Sequence, residues 1–217
     1  MVPRVAIIDF GMGNLYSVRQ ACARAGLDAQ ITSSSLDVDA ADAVILPGVG
    51  AFADAMAALR VSGMVEALRR VASAGKPLFG ICLGFQLLMT ESLEFGRHAG
   101  LGLVEGRVVY LAHPRDDSGP LKVPHVGWNR ILRRREWART LLDGVPDGAF
   151  MYFVHSLHVE PSDTTSVLST TRYGDVELCS SFSRGNVFAC QFHPERSGPT
   201  GLLVYRNLAN LLVTAHA

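Results

Sequence analysis

The sequence predicts an α/β fold in three layers: a mostly parallel central sheet with helices on both faces and antiparallel additions in the C-terminal half. Three observations predict it. Short apolar runs alternate with helix-like runs over residues 4–90, the pattern of parallel strands joined by crossover helices. Glycine-containing turns follow apolar runs at Asp9–Asn14, Pro47–Gly50 and Gly80–Gly84. Beyond residue 100 the strand-like runs follow one another with turn signals between them in place of helices.

The elements are expected in this order. Arg4–Asp9 reads as the first strand, and Asp9-Phe10-Gly11-Met12-Gly13-Asn14 turns into a helix-like run, Asn14–Ala25. A dinucleotide fingerprint needs a further glycine at position 16, where Tyr16 stands. A tight strand-to-helix turn capped by Asn14 is therefore the favoured reading. Ala43–Leu46 is the next strand, Ser62–Ala74 a helix, Pro77–Ile81 a strand and Leu83–Thr90 a helix. Further strands are expected at Arg107–Leu111, Ala149–His155, Ser166–Ser169, Val176–Ser180 and Val187–Phe192, and a last helix at Gly201–Val213. The last two strands form a hairpin about Arg184-Gly185-Asn186, and Asp116–Pro120 is a loop. With no repeat, low-complexity tract or long linker, residues 1–217 read as one domain.

The chemistry concentrates in Phe79–Leu88, "FGICLGFQLL". A strand, a tight turn and a helix place a thiol, Cys82, between Gly80 and Gly84, as a nucleophile elbow places its serine. A helix N-terminus there favours the thiolate, and the next backbone N–H, that of Leu83, can face an oxyanion. Near the C-terminus, "NVFACQFHPE" ends an apolar run on His193-Pro194-Glu195. His193 supplies the base that a cysteine nucleophile needs. Glu195, two residues on, points the same way along an extended chain and orients the imidazole.

An oxyanion needs a second donor, and the turn Pro47-Gly48-Val49-Gly50 reads as its source or as a plain turn. Gln86 lies one helical turn after Cys82 and faces the same side, within reach of a substrate's polar end. Trp128, in Gly127-Trp128-Asn129, reads either as an interface anchor or as a ring packed under its own loop.

Gly-Ile-Cys-Leu-Gly-Phe-Gln followed by Gln-Phe-His-Pro-Glu resembles the triad-type (class I) glutamine amidotransferases, over Val5 to about Leu212. The resemblance implies Cys82 as nucleophile, His193 as base and Glu195 as orienting acid, with L-glutamine as substrate and no metal or organic cofactor. It implies that the backbone of Val49 joins that of Leu83 in the oxyanion hole after reorientation of the turn. It also implies that Gly50, Gln86, Glu94, Ser156 and Leu157 contact the substrate. By its residues alone Glu94 reads as a surface carboxylate; the family pattern selects it over Glu91 for the α-amino group.

Within that family, "IIDFGMGNLYSV", "LPGVGAF", "PHVGWN" and "FVHSLH" are similar to the glutaminase subunits of imidazole glycerol phosphate synthase, which serve histidine biosynthesis. Leu157 stands where many members have an aromatic residue, and Arg196 where a lysine is common. The resemblance implies a heterodimer with a (β/α)₈-barrel cyclase subunit, with Asn14, Trp128 and Arg196 toward the partner. The rivals are a glutaminase for another synthase (pyridoxal phosphate, anthranilate or guanylate), a non-catalytic interaction subunit, and a cysteine hydrolase or peptidase.

Composition excludes other classes. The chain has 217 residues with 20 basic and 20 acidic side chains, a balance that argues against a nucleic-acid binder. Arg133-Arg134-Arg135 reads as a solvated loop or helix start, or as a contact for a partner's phosphate. The longest apolar stretch, Leu78–Met89, is too short to span a membrane, and Arg4 and Asp9 interrupt any signal-like start. The four cysteines show no metal-ligand or disulfide spacing. A free reactive thiol points to a reducing cytoplasm.

Overall fold

The computed structural model describes residues 2–215. In chain order the first half comprises β1 (Arg4–Ile8), α1 (Leu15–Arg24), β2 (Asp28–Thr32), α2 (Ser35–Ala40), β3 (Ala43–Leu46), α3 (Phe52–Val61), α4 (Met64–Ser73), β4 (Leu78–Ile81) and α5 (Leu83–Leu87). Strands β5 (Met89–Ser92), β6 (His98–Ala99), β7 (Val104–Tyr110), β8 (Arg115–Asp116), β9 (Gly119–Pro120), β10 (His125–Arg130) and β11 (Leu132–Arg133) follow. The chain closes with β12 (Phe150–His155), β13 (Leu157–Pro161), β14 (Val167–Tyr173), β15 (Val176–Arg184), β16 (Val187–Cys190) and α6 (Gly198–Ala215).

The main sheet has eight strands in the order β11-β14-β15-β16-β4-β3-β1-β2. From β16 to β2 every neighbour is parallel, and β11, β14 and β15 add on antiparallel. This is the expected architecture, and the hairpin about Gly185-Asn186 is the joint between its two parts. Strand residues alternate between two apolar cores, as a period of two requires. Val5, Ile7, Ile45, Phe79 and Phe188 face α1 and α6, with Val18, Cys22, Tyr205 and Leu208. Ile8, Val44, Leu46 and Leu78 face the other way, onto Val38, Phe52, Met64, Leu68 and Phe85 of α2 to α5. A four-stranded sheet, β13-β7-β5-β6, the β10–β12 ribbon and the small β8–β9 ribbon complete the described sheets.

Several elements differ from expectation. The helix expected to reach Thr90 stops at Leu87 and becomes β5, because the carbonyls of Leu87, Leu88 and Met89 accept from the Leu101–Val104 backbone instead of from a next helical turn. Helix α3 was not expected; its alanine-rich stretch Phe52–Val61 has high helix propensity but a weak amphipathic stripe. Strand β2 and helix α2 are short and half-exposed, with little periodic signal. Residues Asp116–Pro120 form the tip of the small β8–β9 hairpin rather than an open loop. The arginine run begins in β11, and all its members have partners within the chain. Arg133 stacks 4.7 Å over the Trp137 ring, Arg134 lies 3.7 Å from Glu177, and Arg135 donates to the Ser183 carbonyl at 2.9 Å.

Candidate active site

Strand register brings the separate motifs together. Ile81 of β4 pairs with Cys190 of β16, so Cys82 and the segment Gln191–Glu195 leave the same sheet edge side by side. That edge holds the C-terminal ends of the parallel strands, where open α/β sheets place their ligands. The turns after β1 and β3 end there too; a Cβ on Gly13 would lie 3.7 Å from Gly48 Cα.

The elbow is strained and tightly held. Cys82 adopts φ 55°, ψ −107°, a conformation that costs a non-glycine residue about 1–3 kcal/mol. Its N–H donates to the Cys190 carbonyl at 2.9 Å. A side chain at Gly84 would collide with the Leu46 carbonyl, so α5 packs against β3 only through glycine. The Cys82 residue is 6% exposed. Its Sγ lies 3.9 Å from the Val154 carbonyl and 3.8 Å from Gln191 Nε2.

His193 and Glu195 form a buried pair, Nδ1 to Oε1 at 2.8 Å, with the Glu195 side chain 1% exposed. Burial alone would lower the His193 pKa. Hydrogen bonding and charge from Cys82 and Glu195 outweigh it and carry the value up to about 10. Of the two neighbours Glu195 has the made bond, because His193 Nε2 has no hydrogen-bond partner among the described residues. Ser197 Oγ donates to the His193 carbonyl at 2.7 Å and accepts from Tyr152 N–H at 3.0 Å, which ties the turn to β12.

Beside the thiol, the Leu83 N–H donates to the Gly48 carbonyl at 3.3 Å. The Gly48–Val49 peptide therefore turns its oxygen toward the elbow, and its N–H, that of Val49, points elsewhere. Val49 is 43% exposed and Gly50 sits at φ 106°.

Gln86 is buried, and its Nε2 donates both to the Leu157 carbonyl at 3.2 Å and to Gln191 Oε1 at 3.0 Å. Glu94, a surface residue by sequence alone, is only 9% exposed; Oε2 accepts from Phe52 N–H at 2.6 Å, at the start of α3. Glu91 instead pairs with Arg97 at the surface. The Ser156 carbonyl accepts from Leu111 N–H at 2.8 Å, and Leu157 is buried. Asn14 caps α1, its Oδ1 accepting from Ser17 N–H at 3.4 Å. Trp128 is 55% exposed, so it is not packed under its own loop, and it meets Tyr152 edge-on. Arg196 lies 4.6 Å over the other ring in that cluster, Tyr152.

Sequence reasoning missed Gln191 and the paired histidines His125 and His155, which face each other across β10 and β12 with Nδ1 to Nε2 at 3.0 Å. A polar residue ending the apolar run Val187–Cys190 was the available signal for Gln191. Among the described residues no group of three or more His, Cys, Asp or Glu is placed to hold a metal ion. No described helix is long and apolar enough to cross a membrane.

Residues 6–209 match the model of the family "Glutamine amidotransferase class-I". The chain is 48% identical over 208 residues to imidazole glycerol phosphate synthase subunit HisH of Moorella thermoacetica, covering 96% of this chain and 95% of that protein. It is 44% identical to the subunit of the same name from Syntrophotalea carbinolica, covering 95% and 100%. Among solved structures, PurLQS from Thermotoga maritima aligns with a TM-score of 0.74 at 20% identity, covering 98% of this chain and 100% of that one. A glutamine amidotransferase structure aligns at 0.72 with 22% identity, covering 95% and 98%. At these identities the structures speak to the fold alone.

Proposed function

Because the chain belongs to the class-I glutamine amidotransferase family, we propose that it is the glutaminase subunit of an imidazole glycerol phosphate synthase in histidine biosynthesis. It hydrolyses L-glutamine to glutamate and ammonia as a single domain spanning residues 1–217, in the cytoplasm. The observation that carries this reading is the register of β4 and β16, which sets Cys82 beside the bonded pair His193–Glu195.

In this reading the Cys82 thiolate attacks the carboxamide carbon, and the carbonyl electrons move onto oxygen. As the tetrahedral species collapses, the C–N bond breaks and His193 delivers its proton to the departing nitrogen, releasing ammonia. A glutamyl thioester remains. His193 then takes a proton from water, the hydroxyl adds to the thioester carbon, and the C–S bond breaks to give glutamate and the thiolate. Glu195 holds Nδ1–H and stabilises the imidazolium throughout. Gln86 has both amide hydrogens engaged, so it offers a substrate only its oxygen, an acceptor suited to the glutamine ammonium group. Glu94, Gly50, Ser156 and Leu157 complete the substrate contacts.

The oxyanion site is closed as the chain stands, since the Gly48 carbonyl occupies the Leu83 N–H. Turning the single Gly48–Val49 peptide exchanges that carbonyl for the Val49 N–H and frees Leu83, giving two donors. A (β/α)₈-barrel cyclase that docks near Asn14, Trp128 and Arg196 and favours the turned peptide would switch the glutaminase on. Trp128→Ala should weaken docking while Cys82 remains open to alkylation.

The test is reconstitution. The chain with glutamine and a barrel cyclase carrying its ribulosyl formimino substrate should form imidazole glycerol phosphate, whereas anthranilate or guanylate synthase subunits should gain nothing. Product with one of those and none with the cyclase would overturn the assignment.

A further inference from the structure

Gln191 faces the Cys82 sulfur, and the triad chemistry makes no use of it. It follows the last residue of β16 and is fully buried. A buried amide is costly unless its polar atoms are paired. Here Oε1 accepts from Gln86 Nε2 at 3.0 Å and Nε2 lies 3.8 Å from Cys82 Sγ.

Chemistry fixes which end of the amide faces the sulfur. The Leu157 carbonyl oxygen only accepts, so Gln86 must turn its NH₂ toward it, at 3.2 Å. The second hydrogen on that nitrogen points at Gln191, which must answer with its oxygen, at 3.0 Å. That leaves the Gln191 NH₂ for the thiol. The same carbonyl orders the far side of the network. His155 Nδ1–H donates to Leu157 O at 2.9 Å, so its Nε2 accepts from His125 Nδ1–H at 3.0 Å, and Asn129 donates to His125 Nε2 at 3.2 Å.

We propose that Gln191 is a catalytic residue: its side-chain NH₂ donates to the Cys82 sulfur when that atom carries negative charge, and Gln86 latches it in that orientation. The charge is present on the attacking thiolate and returns when the C–S bond of the thioester breaks. The inference rests on Cys82 being the nucleophile. Around Cys82 the titratable groups are His193, with Glu195 bonded to it, from the turn after β16, and Cys190 of β16. Gln191 is a neutral donor among them, so its contribution does not titrate.

Iodoacetamide alkylation of Cys82 in the full chain, followed across pH by mass spectrometry of the Cys82 peptide, tests this without glutamine. Cys22, Cys179 and Cys190 are buried, with pKa values pushed up by loss of hydration, and serve as slow internal references. A hydrogen bond to a charged group is worth about a tenfold factor or more. In Gln191→Leu, alkylation at pH 7 should fall about tenfold and its pH profile should move to higher pH. Gln191→Glu, nearly isosteric, should show a larger loss, and Gln86→Leu, which releases the latch but keeps the Gln191 donor, a smaller one. Glutamine turnover by Gln191→Leu should lose kcat with KM little changed. Circular dichroism identifies a variant that fails to fold; if Gln191→Leu does, the other two decide. Unchanged alkylation profiles in folded Gln191 and Gln86 variants would overturn the proposal. Failure of the nucleophile assignment looks different: glutamine turnover surviving in Cys82→Ser.

Discussion

Two turns meet at the site, and they are built in opposite ways. The Gly80–Gly84 elbow is held from all sides: Cys82 is locked at φ 55°, its N–H is bonded to Cys190, and Gly84 is seated on the Leu46 carbonyl. The Pro47–Gly50 turn exposes Val49 and Gly50 and is tied to the elbow by one bond of 3.3 Å, from Leu83 N–H to the Gly48 carbonyl. The elbow stores its strain under dense packing, which permits one geometry. The other turn can trade a carbonyl for an N–H with little disturbance of the core. In the proposed reading, that difference keeps the nucleophile in place and lets the oxyanion site be made on demand.

Substitutions can break this contrast from either side. Cys82→Ser should have the largest effect, a loss of glutamine hydrolysis of about 10⁴-fold or more, while synthesis from ammonium salts by the assembled complex persists. Near-normal hydrolysis by the variant would remove the elbow from the chemistry. His193→Ala should come next. Glu195→Gln should cost less, about 10²–10⁴-fold, because it misorients the imidazole without removing it; steady-state kcat values rank the two.

The turns themselves separate rate from stability. Val49→Pro deletes the N–H of the movable peptide and should cost the activated complex about 10²–10³ in kcat, or roughly 3–4 kcal/mol, with thermal stability nearly unchanged. Gly84→Ala should instead lower stability by about 1–3 kcal/mol through overpacking, read as a lower thermal midpoint. Equal stability losses for both would erase the distinction.

The smallest expected effect is on pH dependence. Burial lowers His125 to about 4 and His155 to about 3, the latter also through the charge of its histidine neighbour, from an ordinary value of 6.5. Between those limits the unfolded chain binds more protons, so stability rises with pH. It is complete above 6.5 and declines as pH falls toward 4. His193 works in the other direction: raised to about 10, its contribution is present below 6.5 and is lost as pH rises toward 10. Thermal midpoints should therefore decline on the acid side, and His125→Gln should flatten that limb. An acid limb of unchanged slope in the variant would mean that His125 does not titrate as a buried neutral group.

The parts of the molecule legible in the sequence are those whose chemistry is local. Gly80, Cys82 and Gly84 sit within one turn, and His193 and Glu195 within three residues, so residue type and spacing carried both motifs. The parallel core was legible because apolar runs alternated with helix-like ones. What stayed hidden depends on distant partners. Met89 and Thr90 favour helix by continuity, yet their neighbours' carbonyls are taken by Leu101–Val104. Glu94 looks solvent-exposed until α3, itself masked by alanine, covers it. Gln191 lies inside a motif that was recognised, but its role rests on Gln86, 105 residues away in the chain.

The most direct test of the account is the glutaminase rate of the chain alone, of its complex with the barrel cyclase, and of that complex with the cyclase substrate bound. A fixed nucleophile with a closed oxyanion site predicts a low rate for the free chain and a rise of about 10²–10³ in the ligand-bound complex, with Cys82 alkylation comparable in all three. Equal glutaminase rates across the three would contradict it and show an oxyanion site already complete in the free chain.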